Sequence, residues 1–230
     1  MSLFNRAPKE RPKPGKLIVI DGTTRNAIDV QTELLLDTLT EAGYRATHIT
    51  FPRHTEASSP LLQKYLPTGD EQMEPHAAAL LYAMDRFDAI KEMRELLKNG
   101  TMVITNYYVS ATAGYQGTKI RSDAERVKFY RWLDQIEYAY FGIPRPDLTV
   151  ILRTPAELAV EQKLSREQEY SMATERAFLE IATLFPNTKL VDYGRAEASL
   201  SSQQVHAKIW ELVRRIILKG LPPTSIAPRR

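Results

Sequence analysis

The 230-residue chain contains no cysteine. A disulfide framework and a thiolate metal centre are therefore excluded, and the expected setting is cytoplasmic or another reducing, soluble compartment, an organelle matrix included. The four histidines, His48, His54, His76 and His206, are scattered without ligand spacing, so no metal held by side chains alone is predicted. No apolar run approaches the ~20 residues of a membrane-spanning helix, and the N-terminus has no apolar segment of the signal-peptide kind. Neither sign of charge dominates. Thirty-one Lys and Arg against 28 Asp and Glu leave a net charge of +3, too small a surplus to mark a nucleic-acid footprint, and no nucleic-acid partner is expected.

Part of that surplus lies at the ends of the chain. Arg6, Lys9, Arg11, Lys13 and Lys16 alternate with Pro12 and Pro14, and Arg229 and Arg230 close the other end. Short basic runs of this kind read as solvated tails rather than docking arms. The expected organisation is a tail over 1–15, one domain over 16–219 and a second tail over 220–230.

Within the domain, apolar runs alternate with helical patterns. Leu17–Ile20, Ala46–Phe51, Met102–Asn106, Leu148–Leu152 and Lys189–Val191 read as five strands. Amphipathic stripes follow from about Ile28, from Pro75 to Leu97, from Ser122 to about Phe141, between Pro155 and Phe185, and from Gln203 to Leu218. Ser122 with Glu125 three residues on is a capping box. Tyr107–Lys119, rich in small and polar residues, is too long for a simple connection and reads as a functional loop. Strands separated by helices predict an α/β fold, a doubly wound five-stranded parallel sheet with ligands at the carboxyl ends of the strands.

The segment Lys16–Gln31, KLIVIDGTTRNAIDVQ, has the strand, loop and helix layout of a phosphate-binding loop. A working loop reads G-x-x-x-x-G-K-[ST]. Its second glycine lets backbone N–H groups close on the phosphates, its lysine meets their charge and its hydroxyl holds Mg²⁺. Counted from Gly22, those three positions are Ala27, Ile28 and Asp29. Ile28 carries no charge. Asp29 would set a carboxylate beside a triphosphate, costing about 4 kcal/mol per like-charge pair at ~4 Å and an effective dielectric near 20. Gly22, Thr24 and Arg25 are what remains of the loop.

Five pieces in order carry a resemblance: KLIVIDG, TFPR, LLYAMDRFDAIKEMRELLKNG, VITNYYVSATAGYQGTKI and FGIPRPDLTVIL. They resemble the thymidylate kinases, which phosphorylate dTMP with ATP and Mg²⁺. The resemblance implies that Arg86 reads the thymine base, that Tyr82 stacks on it, that Tyr115 and Gln116 close over the nucleoside, and that Arg53, or His54 one residue on, meets the monophosphate. It also exposes departures. The aspartate of the family's loop falls on Thr24. The Asp-Arg-Tyr after its third strand is here Asn106-Tyr107-Tyr108, which removes the arginine that bridges the phosphates. Arg153 stands where an acidic residue is usual, and the basic lid is shortened to Lys163 and Arg166.

These departures fall together on the ATP side. The resulting expectation is a thymidylate-kinase-like protein with a degenerate phosphate loop that has lost ATP-dependent phosphoryl transfer, a pseudoenzyme with a structural or regulatory role. No cofactor is assigned on this reading. The alternatives are an active or weakly active dTMP kinase using ATP and Mg²⁺, and a sensor that binds a pyrimidine nucleoside monophosphate. The family resemblance also implies a homodimer, and the structural or regulatory role a place in a larger protein assembly.

Overall fold

The structure is a computed structural model of the full chain, described here for residues 13–53, 73–153, 166–194 and 200–223. The tail expected over 1–15 falls mostly outside these residues, as do His54, Lys163, the side chain of Arg166 and the first part, 155–165, of the helical stretch read between Pro155 and Phe185. Five strands, β1 (Leu17–Gly22), β2 (Ala46–Thr50), β3 (Met102–Asn106), β4 (Leu148–Arg153) and β5 (Thr188–Asp192), form one parallel sheet in the order β2-β3-β1-β4-β5. Seven α-helices pack on it among the described residues: α1 (Arg25–Glu41), α2 (Pro75–Asp88), α3 (Ile90–Lys98), α4 (Val109–Thr118), α5 (Asp123–Asp134), α6 (Arg166–Leu184) and α7 (Ser202–Ile216). A π-helical turn, Gln135–Tyr140, continues α5. The doubly wound sheet expected from the sequence is therefore the fold.

Alternation along the strands sorts the core into two layers. Leu17, Val19, Val103 and Ile151 face a layer with Met93, Ala113, Phe129, Leu133, Phe178 and Ile181. Ile18, Ile20, Ile104, Val150 and Leu152 face another with Ile28, Leu35, Leu39, Val205, Ile209 and Val213. A strand buried on both faces needs apolar residues at both parities, which is why these runs are continuous rather than alternating. The sheet is pinned at its amino edge by Asp147, whose carboxylate accepts from Lys16 Nζ (2.7 Å) and from the backbone N–H of Leu17 (2.9 Å).

Helix starts follow their caps. Glu74 accepts from Ala77 N ahead of Pro75 at the start of α2, Ser122 accepts from Glu125 N, and Ser201 with Gln204 forms a reciprocal box on α7. Three expectations are corrected. The single helix read from Pro75 to Leu97 breaks at Ala89. The carbonyl of Asp85, which would accept from Ala89 N, is shared with Arg53 Nη2 (3.1 Å), and the Ala89 N–H divides between Asp85 O (3.3 Å) and Arg86 O (3.2 Å). The functional loop read over Tyr107–Lys119 is helix α4, buried nearly all round. Its small residues explain that: a Cβ on Gly114 would lie 2.5 Å from Phe178 Cζ, and one on Gly117 would lie 2.7 Å from the Tyr130 hydroxyl. The third correction concerns α1, which begins at Arg25 rather than near Ile28.

Gly114→Ala tests the close passage of α4 and α6. Alanine favours a helix by about 1 kcal/mol over glycine, but Phe178 is buried and cannot move aside. The overpacking is expected to win, with a net loss of about 1–2 kcal/mol in urea denaturation.

Candidate functional site

The strand order reverses at β1, so the crevice at the carboxyl ends of β1 and β3 is where a ligand of this fold would sit. There β1 ends at Gly22, and only Thr23 and Thr24 separate it from α1. Gly22 is needed for a close approach, since a Cβ there would lie 2.2 Å from the carbonyl oxygen of Leu152 on β4. A phosphate loop of the usual length would still be open at Arg25, Asn26 and Ala27. Here those residues are already helical, and the N–H of Ile28 donates to Thr24 O (3.2 Å) within the first turn. The Ile28 side chain is fully buried, and Ala27 is nearly so.

The departures from the phosphate-binding pattern meet one another. Asp29 accepts from the Tyr107 hydroxyl (3.1 Å) and from Asn106 Nδ2 (3.3 Å). Asn106 Oδ1 lies 3.1 Å from His48 Nε2 on β2. The Arg25 guanidinium lies 5.2 Å from the Tyr107 ring centre, a cation–π contact. Tyr107 adopts φ +53°, an uncommon left-handed conformation for a bulky residue that marks a site held by its surroundings. Burial, and then the neighbouring Asp29 carboxylate, push the Tyr107 phenol well above its ordinary pKa, so it stays a protonated donor. Mg²⁺ with a triphosphate does not fit this set: the lysine position is core, the hydroxyl position is a carboxylate already held by two donors, and Tyr107 occupies the arginine position.

Asp21, also at the end of β1, organises the start of α4. It is fully buried and accepts from the Ser110 hydroxyl, Ala111 N (3.0 Å) and Tyr108 N (3.3 Å). Tyr115 donates from its hydroxyl to Gly22 O (3.0 Å) and sets its ring edge-on to Phe178. Gln116 is buried on the same helix.

The remaining sequence candidates lie around α2 and do not form one constellation. Arg53 is tied to Asp85 through its backbone N–H (2.8 Å) and Nε (3.0 Å), and to Asp88 through Nη2 (2.6 Å). Arg86 points elsewhere. It is fully buried, donates from Nε to both oxygens of the equally buried Glu137 (3.0 and 3.1 Å), and donates from Nη2 to Glu137 and to Thr112 Oγ1 (3.0 Å). Tyr82 is half-buried one turn before it. Sequence reasoning missed Asp21, His48, Ser110 and Glu137 as site members. Glu137 left a readable trace: it falls four residues after Leu133, on a stripe that is otherwise apolar. Arg153, at the end of β4, pairs with Asp192 (2.7 Å) on β5.

Comparison with known proteins identifies similar chains. The family model described as thymidylate kinase matches residues 20–209. A thymidylate kinase of Mycobacterium tuberculosis is 30% identical over 155 residues, covering 66% of this chain and 72% of that protein. The human thymidylate kinase is 26% identical over 197 residues, 85% of this chain and 88% of that protein. A solved structure of thymidylate kinase from Candida albicans superposes with a TM-score of 0.66 at 24% identity, over 88% of this chain and 92% of that one, a likeness of fold.

Burial is the largest influence on Asp21 and lifts its carboxyl above the ordinary range, against the hydrogen bonds from Ser110, Tyr108 and Ala111 that favour the ionised form. The folded chain thus holds this proton more tightly than the unfolded chain, and the stability contributed is fully present below about pH 4 and is lost as pH rises. In Asp21→Asn that titration is gone. The unfolding free energy of the parent chain minus that of the variant is expected to fall as pH rises from 4 toward 7 in urea denaturation. A flat or rising difference would mean that the three donors outweigh burial.

Proposed function

The chain belongs to the thymidylate kinase family, and from that premise we propose that it has lost ATP-dependent phosphoryl transfer and serves as a pseudoenzyme, a structural or regulatory subunit. The observation that carries this reading is the winding of α1 from Arg25, which draws the lysine position, Ile28, into the core. Phosphoryl transfer asks of a protein little covalent chemistry. It depends on positioning the phosphates and neutralising charge around them, and an arginine supplied to the transition state is worth about 10³–10⁵ in rate. Here the loop lysine, the Mg²⁺-holding hydroxyl and the bridging arginine are replaced together, and the replacing residues Asp29, Asn106 and Tyr107 satisfy one another.

A second reading, a sensor for a pyrimidine nucleoside monophosphate, is favoured by Arg86. Its Nη1 is buried and makes no hydrogen bond among the described residues, an unmet donor of the kind a bound acceptor would satisfy. A homodimer is supported by α2, whose Leu80, Met84 and Phe87 recur at i, i+4 and i+7 and are 39%, 48% and 52% exposed. Phe87 is backed by Phe141 at a ring separation of 4.9 Å, and an apolar stripe on a straight helix can meet its own copy across a two-fold axis.

With ATP, Mg²⁺ and dTMP, dTDP formation is expected to fall at least about 10³-fold below the 1–100 s⁻¹ typical of kinases, and calorimetry is expected to detect no ATP binding. Turnover in the ordinary range would overturn the reading. The triple variant Ala27→Gly, Ile28→Lys, Asp29→Ser is expected to remain blind to ATP and to lose at least about 2 kcal/mol of stability, because its ammonium enters the core. Phe87→Glu is expected to convert a sedimenting dimer to monomer with an unchanged circular dichroism spectrum; a parent chain still monomeric at about 100 μM, above the μM-to-pM range of ~1,600 Å² interfaces, would remove the dimer.

A further inference from the structure

The two ends of the described chain meet at the amino edge of the sheet. Lys13 donates from Nζ to Gly220 O (2.8 Å), and the Tyr44 hydroxyl donates to Leu221 O (3.0 Å). Gly15 N donates to Leu97 O (2.7 Å), and a Cβ on Gly15 would lie 1.9 Å from Thr101 O. On the other side a Cβ on Gly43 would lie 3.3 Å from Pro223 Cβ. Each basic end is short when read alone; these contacts set them side by side. We propose that this pole, with the chain ends that leave it, is a docking surface for an anionic lipid membrane. Such docking is independent of whether ATP is turned over.

Charge is divided unevenly between this pole and the rest of the chain. Residues 1–16 hold five Lys and Arg against one acid, Glu10, and residues 219–230 hold three against none. Residues 17–218 hold 23 Lys and Arg against 27 Asp and Glu. The small net charge of +3 thus conceals a negative body with basic ends. At the pole Lys13, Lys98, Arg214, Arg215 and Lys219 are exposed and make no ion pair among the described residues, whereas Lys16 is paired with Asp147. The exposed carboxylates that border them along the chain are Glu41, Glu95 and Glu211, so cations are in excess before Arg6, Lys9, Arg11, Arg229 and Arg230 are counted. Aliphatic side chains are interleaved with the cations: Ile216 is 38% exposed, and Leu218 and Leu221 are half-buried. That mixture suits a bilayer interface, where Lys and Arg meet anionic headgroups and aliphatic chains enter the acyl boundary. Nucleic-acid bases would instead call for aromatic stacking partners, and Phe4 is the one aromatic residue in 1–16 and 219–230. The negative body is repelled by the same lipid surface, which turns the pole toward it.

The test is sedimentation of the full chain with vesicles of phosphatidylcholine, alone or with about 30% phosphatidylserine, at ~0.1 M salt. Binding is expected to the anionic vesicles alone, and to weaken at least about tenfold at ~0.5 M salt, where each charge is screened over a shorter distance. Two triple variants locate the surface: Lys9→Gln, Arg11→Gln, Lys13→Gln at one end, and Arg214→Gln, Arg215→Gln, Lys219→Gln at the other. Each is expected to weaken binding at least about 30-fold, the scale of three cations near an anionic surface, with the circular dichroism spectrum of the parent. The salt series on the parent chain answers the case in which a variant fails to fold. A loss confined to one of the two variants would assign binding to a single end and overturn the joint surface. Binding to neither vesicle, or equal binding to both, would overturn the membrane assignment. So would release from anionic vesicles by a short DNA duplex at equal phosphate concentration, which would assign the pole to nucleic acid.

Discussion

The burial of Ile28 is the constraint from which the carboxyl edge of the sheet follows. Its side chain lies in the same apolar layer as Ile20, Leu152, Val191 and Val205, with no exposed surface. Sealing an isoleucine in this way contributes about 1.5–3 kcal/mol relative to leaving it in water. A lysine at the same place would have to reach the solvent side, where its ammonium could be hydrated or meet an anion. With Ile28 turned inward, Thr24 O takes the Ile28 N–H, the helix begins at Arg25, and two residues remain between strand and helix. The N–H groups of Arg25, Asn26 and Ala27 thus belong to a first helical turn rather than to an open loop.

The polar residues around that helix start are fitted to the change. Asp29 sits one turn into α1, where a carboxylate would repel a phosphate, and it is bonded by the Tyr107 phenol and the Asn106 amide. Asn106 and Tyr107 are two neutral donors, which suit the half-buried Asp29 carboxylate better than a second carboxylate would. The edge of the sheet has become a packed polar contact reaching from His48 on β2 to Arg25 on α1. The α2 side was treated differently. Arg86 is a buried cation whose Nε and Nη2 are taken by Glu137 and Thr112, while Nη1 makes no hydrogen bond among the described residues.

The fold was legible because strand and helix periods differ. Continuous apolar runs at Leu17–Ile20 and Leu148–Leu152 declared a sheet covered on both faces, and the capping residue Ser122 marked the start of α5. The residues Ala27, Ile28, Asp29, Asn106 and Tyr107 were legible as departures from the phosphate-binding pattern. Their mutual bonding was not, because it joins β2, the β3 end and α1 across 58 to 78 residues of sequence. Helix α4 was misread as a loop because Ser110, Ala111, Thr112, Ala113, Gly114 and Gly117 have turn-like composition. Their small size instead lets the helix lie against Phe178 and Tyr130. Arg53 and Arg86 were read alike as ligand contacts, although Arg53 is held by Asp85 and Asp88 and Arg86 by Glu137. Which carboxylate an arginine meets depends on tertiary placement, and a π-helical turn of the kind that carries Glu137 has no sequence period of its own.

Amide hydrogen exchange across Thr23–Asp29, with and without Mg²⁺ and ATP, tests the central claim at the backbone itself. If Ile28 is core and its N–H is held by Thr24, that amide exchanges slowly in the free chain and its rate is unchanged by millimolar nucleotide. Fast exchange at Ile28 in the free chain, slowing when nucleotide is added, would contradict the account, because it would mean an open loop that still closes on phosphate.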